Sequence, residues 1–287
     1  MMKEVEINNL SDFELAHIFE CGQCFRWHKE DDESYTGVTK YGVLNIKKKN
    51  KSTIVVKGTF LNEDTAVEDI SDYLNLQCDY SAIKKLLIKN DENMKKAIDY
   101  GYGIRILNQD PWEMVISYII SAANNIPRIS KTIENISKSY GKKLKYNDAE
   151  YYLFPTPKEL AQATVEDLRM LNLGFRDKYV HNAAQAVASG EVDIDAIVNM
   201  SYADAKKELK KLPGIGDKVA DCILLFSMRK PEAFPIDTWI KKVMSELYGE
   251  EGSAKKLNQF AVDKFGEFGG IAQQYLFYYM RETNNLE

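Results

Sequence analysis

The chain has 287 residues, 45% of them apolar and 28% charged, enough for one large globular unit or two to three smaller ones with ample core. No apolar run reaches membrane-spanning length, and the start Met1-Met2-Lys3-Glu4-Val5-Glu6 lacks a signal-peptide core, so a cytoplasmic protein without membrane association is expected. A net charge of −5 argues against a strongly cationic surface and leaves any contact with polyanions to local clusters.

Along the first hundred residues, Ser11-Asp12-Phe13-Glu14 reads as a capping box opening a short helix. Strand-like runs follow at Cys24–His28, Ser34–Lys40, Val43–Lys48 and Thr53–Lys57, separated by turn signals such as Glu30-Asp31-Asp32-Glu33 and Tyr41-Gly42. Their lengths suit an antiparallel sheet, and residues 64–99 read as helical. From Asp110 onward the pattern is almost purely helical. Asp110-Pro111 is an N-cap with proline in the first helical position. Thr164 with Asp167, and Ser201 with Asp204, repeat the capping spacing, while Gly141, Gly190 and Gly249 stand where helix C-termini are expected. The fold class is therefore α+β: an amino-terminal lobe with a twisted antiparallel sheet, residues 1–102, and a helical part, residues 103–287, of two packed lobes with a cleft between them.

The chemistry concentrates in residues 209–237. A lysine-rich helix runs into Leu212-Pro213-Gly214-Ile215-Gly216, and a second helix begins at once. Pro213 ends the first helix, and Gly214 and Gly216 allow positive φ and a bare backbone. A helix-hairpin-helix with amides exposed at a helix N-terminus is a seat for phosphate. Five lysines (Lys206, Lys207, Lys210, Lys211, Lys218) stand against Glu208 and Asp217 in this stretch, a pattern that also suits a plain solvated helix face. Lys218 falls in the first turn of the second helix, where the helix dipole disfavours added positive charge and favours the neutral, nucleophilic amine. Position alone serves a phosphate-contacting lysine equally well. Asp237 follows Pro235-Ile236 and begins another helix as an N-cap, a role compatible with an ionised carboxylate that stabilises a cationic transition state. Lys218 and Cys222 share one helix face, as do Gln273 and Phe277 on the helix after Gly269-Gly270. An amide and a ring on one face can read and stack on a base, although the same spacing fits core packing.

Of the four cysteines, Cys21, Cys24, Cys78 and Cys222, only Cys21-Gly22-Gln23-Cys24 has metal or redox spacing, and no second pair completes a site. An iron–sulfur cluster is excluded on the same ground.

The segment Leu-Pro-Gly-Ile-Gly-Asp-Lys-Val-Ala-Asp-Cys with Pro-Ile-Asp resembles the 8-oxoguanine DNA glycosylase/AP lyase family of helix-hairpin-helix DNA glycosylases. So do Gly22-Gln23-Cys24-Phe25-Arg26-Trp27, Gln109-Asp110-Pro111-Trp112-Glu113, Asn124-Asn125-Ile126-Pro127-Arg128, Leu173-Gly174-Phe175-Arg176 and Ala272-Gln273-Gln274-Tyr275-Leu276-Phe277, in family order and across nearly the whole chain. The resemblance implies a base-flipping monomer that acts on double-stranded DNA carrying an oxidised purine and needs no cofactor. Lys218 would be the nucleophile and Schiff-base former, and Asp237 would stabilise the oxocarbenium ion. Cys222 and Phe277 would sandwich the base, Gln273 would read its Watson–Crick edge, and Gly22 would offer a backbone carbonyl to the N7–H that oxidation creates. Asn124, Asn125, Arg128 and Arg176 would face the DNA and its orphaned base, with Phe175 wedged into the stack. Gly214, Gly216 and Trp239 would meet the backbone, and the resemblance allows a structural ion at the Leu212 and Ile215 carbonyls, with no catalytic metal.

Two positions depart from the family. Ala123 stands where an asparagine usually fills the vacated stack, leaving Asn124 as a substitute and the opposite-base requirement open. Trp239 replaces a histidine. A glycosylase for another lesion and a non-catalytic phosphate clamp are the competing readings; the clamp leaves the Lys218–Asp237 pair and the Gln273/Phe277 face without purpose.

Overall fold

The computed structural model of the chain describes residues 3–284, so Met1 and Met2 of the amino-terminal reading lie outside the described residues. The first lobe runs β1 (Lys3–Ile7), α1 (Leu15–Phe19), β2 (Trp27–Lys29), β3 (Tyr35–Thr39), β4 (Gly42–Asn50) and β5 (Thr53–Phe60). These strands form one antiparallel sheet in the order β1-β5-β4-β3-β2. Then follow α2 (Ala66–Tyr73), α3 (Tyr80–Leu87), α4 (Glu92–Tyr100), α5 (Pro111–Ser121), α6 (Ile126–Tyr140), β6 (Lys143–Tyr146), β7 (Ala149–Tyr152), α7 (Pro157–Leu160), α8 (Val165–Met170), α9 (Asp177–Ala188) and α10 (Ile194–Val198). The chain continues through α11 (Tyr202–Leu209), α12 (Asp217–Ser227), α13 (Thr238–Tyr248), α14 (Ala254–Phe265) and α15 (Gly269–Asn284). Among the described residues, no helix is long and apolar enough to cross a membrane.

Local chemistry explains most boundaries. Asp110 accepts from the Glu113 amide at 2.8 Å ahead of Pro111, and Thr164 with Asp167 closes a reciprocal capping box. Ser201 caps α11, and Gly249 ends α13 in the left-handed region. The capping box expected at Ser11–Glu14 does not form. Asp12 has φ +50 and turns its carboxylate to Ser81 and Lys84, so Glu14 caps α1 instead, accepting from the Leu15 amide at 3.1 Å. The strand expected from Cys24 begins only at Trp27, because the preceding residues are drawn into the seam between the lobes. Two features were missed: β1, whose Glu4-Val5-Glu6-Ile7 alternates like an edge strand, and the β6–β7 hairpin inside the helical part. That hairpin turns at Asn147-Asp148, both at positive φ, and packs Tyr146 on Val38 and Val43 of the sheet.

Two main cores result. The smaller joins the inner sheet face to α1 and α2, through Ile18, Leu44, Ile54 and Ile70. The larger holds the helices from α5 onward together with Tyr80, Ile83, Met94 and Ile98 of α3 and α4. The sheet thus has a core of its own, while α3 and α4, inside the expected unit 1–102, pack into the core of the helices that follow.

Polar side chains close the seam. Arg105 is buried and donates to the carbonyls of Ser11, Asp12, Asn75 and Cys78 while lying on the Tyr80 ring. Arg26, also buried, places Nη1 3.9 Å from Glu113 and donates to the Tyr152 carbonyl. Burial pushes the Glu113 carboxyl up to about 7, against the opposing pull of Arg26. The folded chain keeps this proton to about pH 7 while the unfolded chain releases it near 4.5, so stability falls as pH rises between those values. Glu113→Gln should therefore gain on the wild type from pH 4.5 to 7 and hold a constant lead above it; urea midpoints at pH 5 and pH 8 measure this, and a pH-independent difference would contradict it.

Candidate active site

The hairpin between α11 and α12 forms as its sequence demands. Gly214 takes φ +88, and the Ile215 amide closes the turn onto the Leu212 carbonyl at 3.2 Å. Gly216 does not use its left-handed freedom: it is extended, at φ −91, and a Cβ there would meet nothing within 4 Å. What glycine supplies at 216 is open backbone at a helix N-terminus, and the amides of Gly214, Gly216 and Lys218 meet no acceptor among the described residues. The Leu212 carbonyl already accepts one hydrogen bond, so an ion would have to share it with the Ile215 amide. Among the described residues no cluster of His, Cys, Asp or Glu could hold a metal.

A buried network sets the angle between the two helices. Asp221, 1% exposed, accepts from Tyr202 Oη at 2.7 Å and from Lys206 Nζ at 2.8 Å, both on α11. Burial raises its carboxyl while Lys206 and Tyr202 pull it back. One turn away, Lys218 is half-buried with Nζ 5.7 Å from the centre of the Tyr118 ring. Cys222 is 4% exposed, its thiol pushed up to about 11 by burial, with the Lys218 amine and the Asp237 carboxylate both close enough to act on it. Asp237 caps α13, its Oδ1 accepting from the Ile240 amide at 2.8 Å. Lys218, Cys222 and Asp237 thus come together.

The opposite wall is α15. Gly270 sits where a Cβ would lie 2.3 Å from the Ala233 carbonyl and 2.5 Å from Leu225 Cδ1, and its amide donates to Pro231 at 2.7 Å. This close approach fixes α15 against α12 and against the segment leading to Asp237. Gln273 is 4% exposed, and its Oε1 has no hydrogen-bonding partner among the described residues. Phe277 lies against Gly22, with Cε1 3.3 Å from where a Cβ would stand, and Gly22 has φ +86.

The strap 20–23 carries Gly22 to this wall. The Glu20 carbonyl accepts from Arg281 at 2.5 Å and the Cys21 carbonyl from Gln274 at 2.6 Å. The Gln23 carbonyl accepts from Gln109 at 2.9 Å and from Tyr118 at 3.4 Å. Only the Gly22 carbonyl, of these four, has no donor among the described residues. A cavity of about 570 Å³ is lined by Gly22, Phe19, Trp27, Ile126, Pro127 and other residues of the strap and α6. Lys218, Cys222, Gln273 and Phe277 do not line it; Cys222 and Gln273 are buried.

The DNA-facing expectations divide. Phe175 is 62% exposed, with the Arg176 guanidinium 4.3 Å from its ring centre, and Arg128 is exposed and without an ion pair among the described residues. Arg176 itself is 4% exposed and gives its donors to the carbonyls of Ala122, Ala123 and Leu173; it holds the α5–α6 turn, where Ala123 has φ +50, instead of presenting a free guanidinium. Asn124 turns inward, its Nδ2 donating to Ile120 at 3.1 Å, and Asn125 caps α6. Trp239 packs against the large core with Lys242 over its ring. Tyr118, Gln274 and Arg281 were not singled out by sequence reasoning, although Gln274, Phe277, Tyr278 and Arg281 follow the i, i+3, i+4, i+7 spacing of one helix face.

Residues 6–115 match the model of the 8-oxoguanine DNA glycosylase N-terminal domain, and residues 116–266 that of the HhH-GPD superfamily base excision DNA repair proteins. The 8-oxoguanine glycosylase/lyase of Clostridium acetobutylicum, solved with double-stranded DNA containing cytosine opposite 8-oxoG, is 44% identical with a TM-score of 0.93 over 99% of this chain and 98% of that one. The chain belongs to the 8-oxoguanine DNA glycosylase/lyase family. A probable N-glycosylase/DNA lyase of Methanothermobacter thermautotrophicus is 34% identical over 218 residues, 69% of this chain and 70% of its own. The N-glycosylase/DNA lyase OGG1 of Arabidopsis thaliana is 29% identical over 93% of this chain and 77% of its own. The geometry of this family member depends on the close approach at Gly270. Gly270→Ala should destabilise the protein by about 1–3 kcal/mol, the cost of overpacking a tight core; denaturant unfolding measures it, and an unchanged midpoint would show that α15 can shift freely.

Proposed function

We infer that the protein is a bifunctional DNA glycosylase/AP lyase that everts 8-oxoguanine from duplex DNA, excises it and cleaves the strand. The observation that carries the substrate is the pair of unsatisfied acceptors on facing elements, the Gly22 carbonyl and Gln273 Oε1. Gln273 Oε1 is a buried acceptor left without a donor, which is costly, and the Gly22 carbonyl is half-buried and free, so a ligand that supplies donors to both is favoured. 8-Oxoguanine supplies them: its Watson–Crick edge carries N–H donors for Gln273, and oxidation turns N7 from an acceptor into a donor for Gly22. In guanine the N7 lone pair faces the carbonyl instead, a difference of about 1–3 kcal/mol for a buried contact left unmade. Cys222 and Gln273 are buried and Phe277 lies against Gly22, so the Phe277 ring moves off Gly22 as the base enters, then stacks on it opposite Cys222.

The reaction follows from the same wall. The Lys218 amine attacks C1′ of the deoxyribose through its nitrogen lone pair, losing a proton, and the C1′–N9 bond breaks with its electron pair leaving on the base. The Asp237 carboxylate stabilises the positive charge that develops on the sugar. Opening of the sugar ring converts the amine adduct to a Schiff base, which acidifies the C2′ proton; its loss expels the 3′ phosphate, and water releases Lys218. The free amides of the hairpin grip the backbone, Phe175 fills the space of the everted base, and Arg128 meets the orphaned partner. Arg176 and Asn124 serve by shaping the turn that presents them. A DNA substrate accords with a cytoplasmic protein, nucleoid-associated if prokaryotic, and one chain holds every group used.

Borohydride should trap a covalent protein–DNA adduct on duplexes carrying 8-oxoguanine, and Lys218→Gln should abolish both adduct and cleavage; a variant that still cleaves at the wild-type rate would overturn the nucleophile. Asp237→Asn keeps a side-chain cap for α13 while removing the charge. It should bind lesion DNA about as well as the wild type yet excise about 100-fold or more slowly, and single-turnover rates equal to the wild type would reduce Asp237 to a cap.

A further inference from the structure

We propose that Gln274 and Arg281 are positioning residues for lesion recognition, holding the strap at Glu20 and Cys21 so that the Gly22 carbonyl is presented to the base; the inference rests on the reading of the site as one for 8-oxoguanine. A peptide plane is fixed only if the chain is anchored on both sides of it, and glycine, free to adopt many φ/ψ combinations, gives its own carbonyl little direction. Beyond Gly22 the anchor is Gln23. Its side chain donates to the Ile18 and Arg105 carbonyls at 2.9 and 2.8 Å and accepts from the Leu107 amide at 2.9 Å, while its carbonyl is held by Gln109. Before Gly22 the anchors come from α15: Gln274 on the Cys21 carbonyl and Arg281 on the Glu20 carbonyl.

The choice of α15 has a consequence for specificity. The same helix carries Gln273 and Phe277, so the group that reads the Watson–Crick edge, the ring that stacks and the carbonyl that reads N7 are held in one frame. Arg281 also lies 5.5 Å from the centre of the Phe277 ring, and its Nη1 is 3.1 Å from where a Gly22 Cβ would stand. Glu282 Oε1 accepts from its Nε at 2.7 Å and lies 2.7 Å from Nη2, the nitrogen that also donates to Glu20. Gln274 gives its amide to the Cys21 carbonyl and Arg281 its Nη2 to the Glu20 carbonyl, so both residues act through the strap.

The test measures selectivity in the Lys218→Gln background, where binding is separated from chemistry. Affinities are compared for duplexes carrying 8-oxoguanine, 8-bromoguanine, guanine or a stable abasic-site analogue. 8-Bromoguanine keeps a substituent at position 8 but has no N7–H. Gln274→Met, which keeps the volume and removes the donor, and Arg281→Met should each reduce the 8-oxoguanine preference over guanine and over 8-bromoguanine by about tenfold, the scale of one buried hydrogen bond. Affinity for the abasic analogue, which offers no base to the strap, should stay unchanged, and Arg281→Lys should restore most of the preference. Unaltered preferences in variants that bind the abasic analogue normally would overturn the proposal. If Gln274→Met does not fold, Arg281 decides the question, its side chain being 15% exposed and its removal the milder change. If the parent protein itself shows no preference for 8-oxoguanine, the substrate reading fails and the proposal falls with it; a selective parent with equally selective variants overturns the positioning role alone.

Discussion

The structure turns on the burial of one amide side chain, Gln23, in the seam between the sheet lobe and the helices. A primary amide has donors and acceptors on a planar group, and here they reach the end of α1 and the segment 105–107 together. Leaving such a group unpaired inside a protein costs about 1–3 kcal/mol. The seam is therefore specified by hydrogen bonds as well as by apolar contact, and the neighbouring Gly22 inherits its place from them. Arg105, buried across the same seam with four backbone acceptors, extends that specification to the turn before α3.

From the helical side, close backbone approach does comparable service. The bare backbone of Gly270 lets α15 approach Ala233 and Leu225 more closely than any side chain would permit. Lys218 and Cys222 ride on α12, Asp237 opens α13, and Gln273 and Phe277 ride on α15, the helices from which the proposed site is built. The Asp221–Lys206–Tyr202 network does for the hairpin what Gln23 does for the strap, tying α11 to α12 so that the free amides and Lys218 keep one mutual geometry.

The edge proposed to meet DNA is divided between display and support. Exposed Phe175 and Arg128 stand out from a turn whose carbonyls are gathered by buried Arg176. The contact with DNA proposed for this edge has to form despite an overall charge of −5. Short-range contact with phosphate depends on local amides and lysines, since charges farther away than about 10 Å are largely screened at ordinary ionic strength.

Much of this was legible in the order of residues alone: the α+β class, the four expected runs that fall in the sheet, the caps at Asp110, Thr164 and Ser201, the hairpin at 212–216, and the family. Each is written in local spacing or in a motif a few residues long, where backbone preference and capping act between neighbours in the chain. The placement of Asp12, Arg176 and Asn124 was not, because a polar side chain takes the partner that tertiary packing brings, and Ser81, Ala122 and Ile120 outcompeted the nearer or expected ones. Nor could spacing show that α3 and α4 join the helical core, or that Gln274 and Arg281 on α15 grip a strap some 250 residues earlier in the chain. Sequence determined which chemical groups exist and which helix each rides on. Only the folded chain decided which carbonyls are taken and which one is left free, since that depends on donors arriving from distant elements.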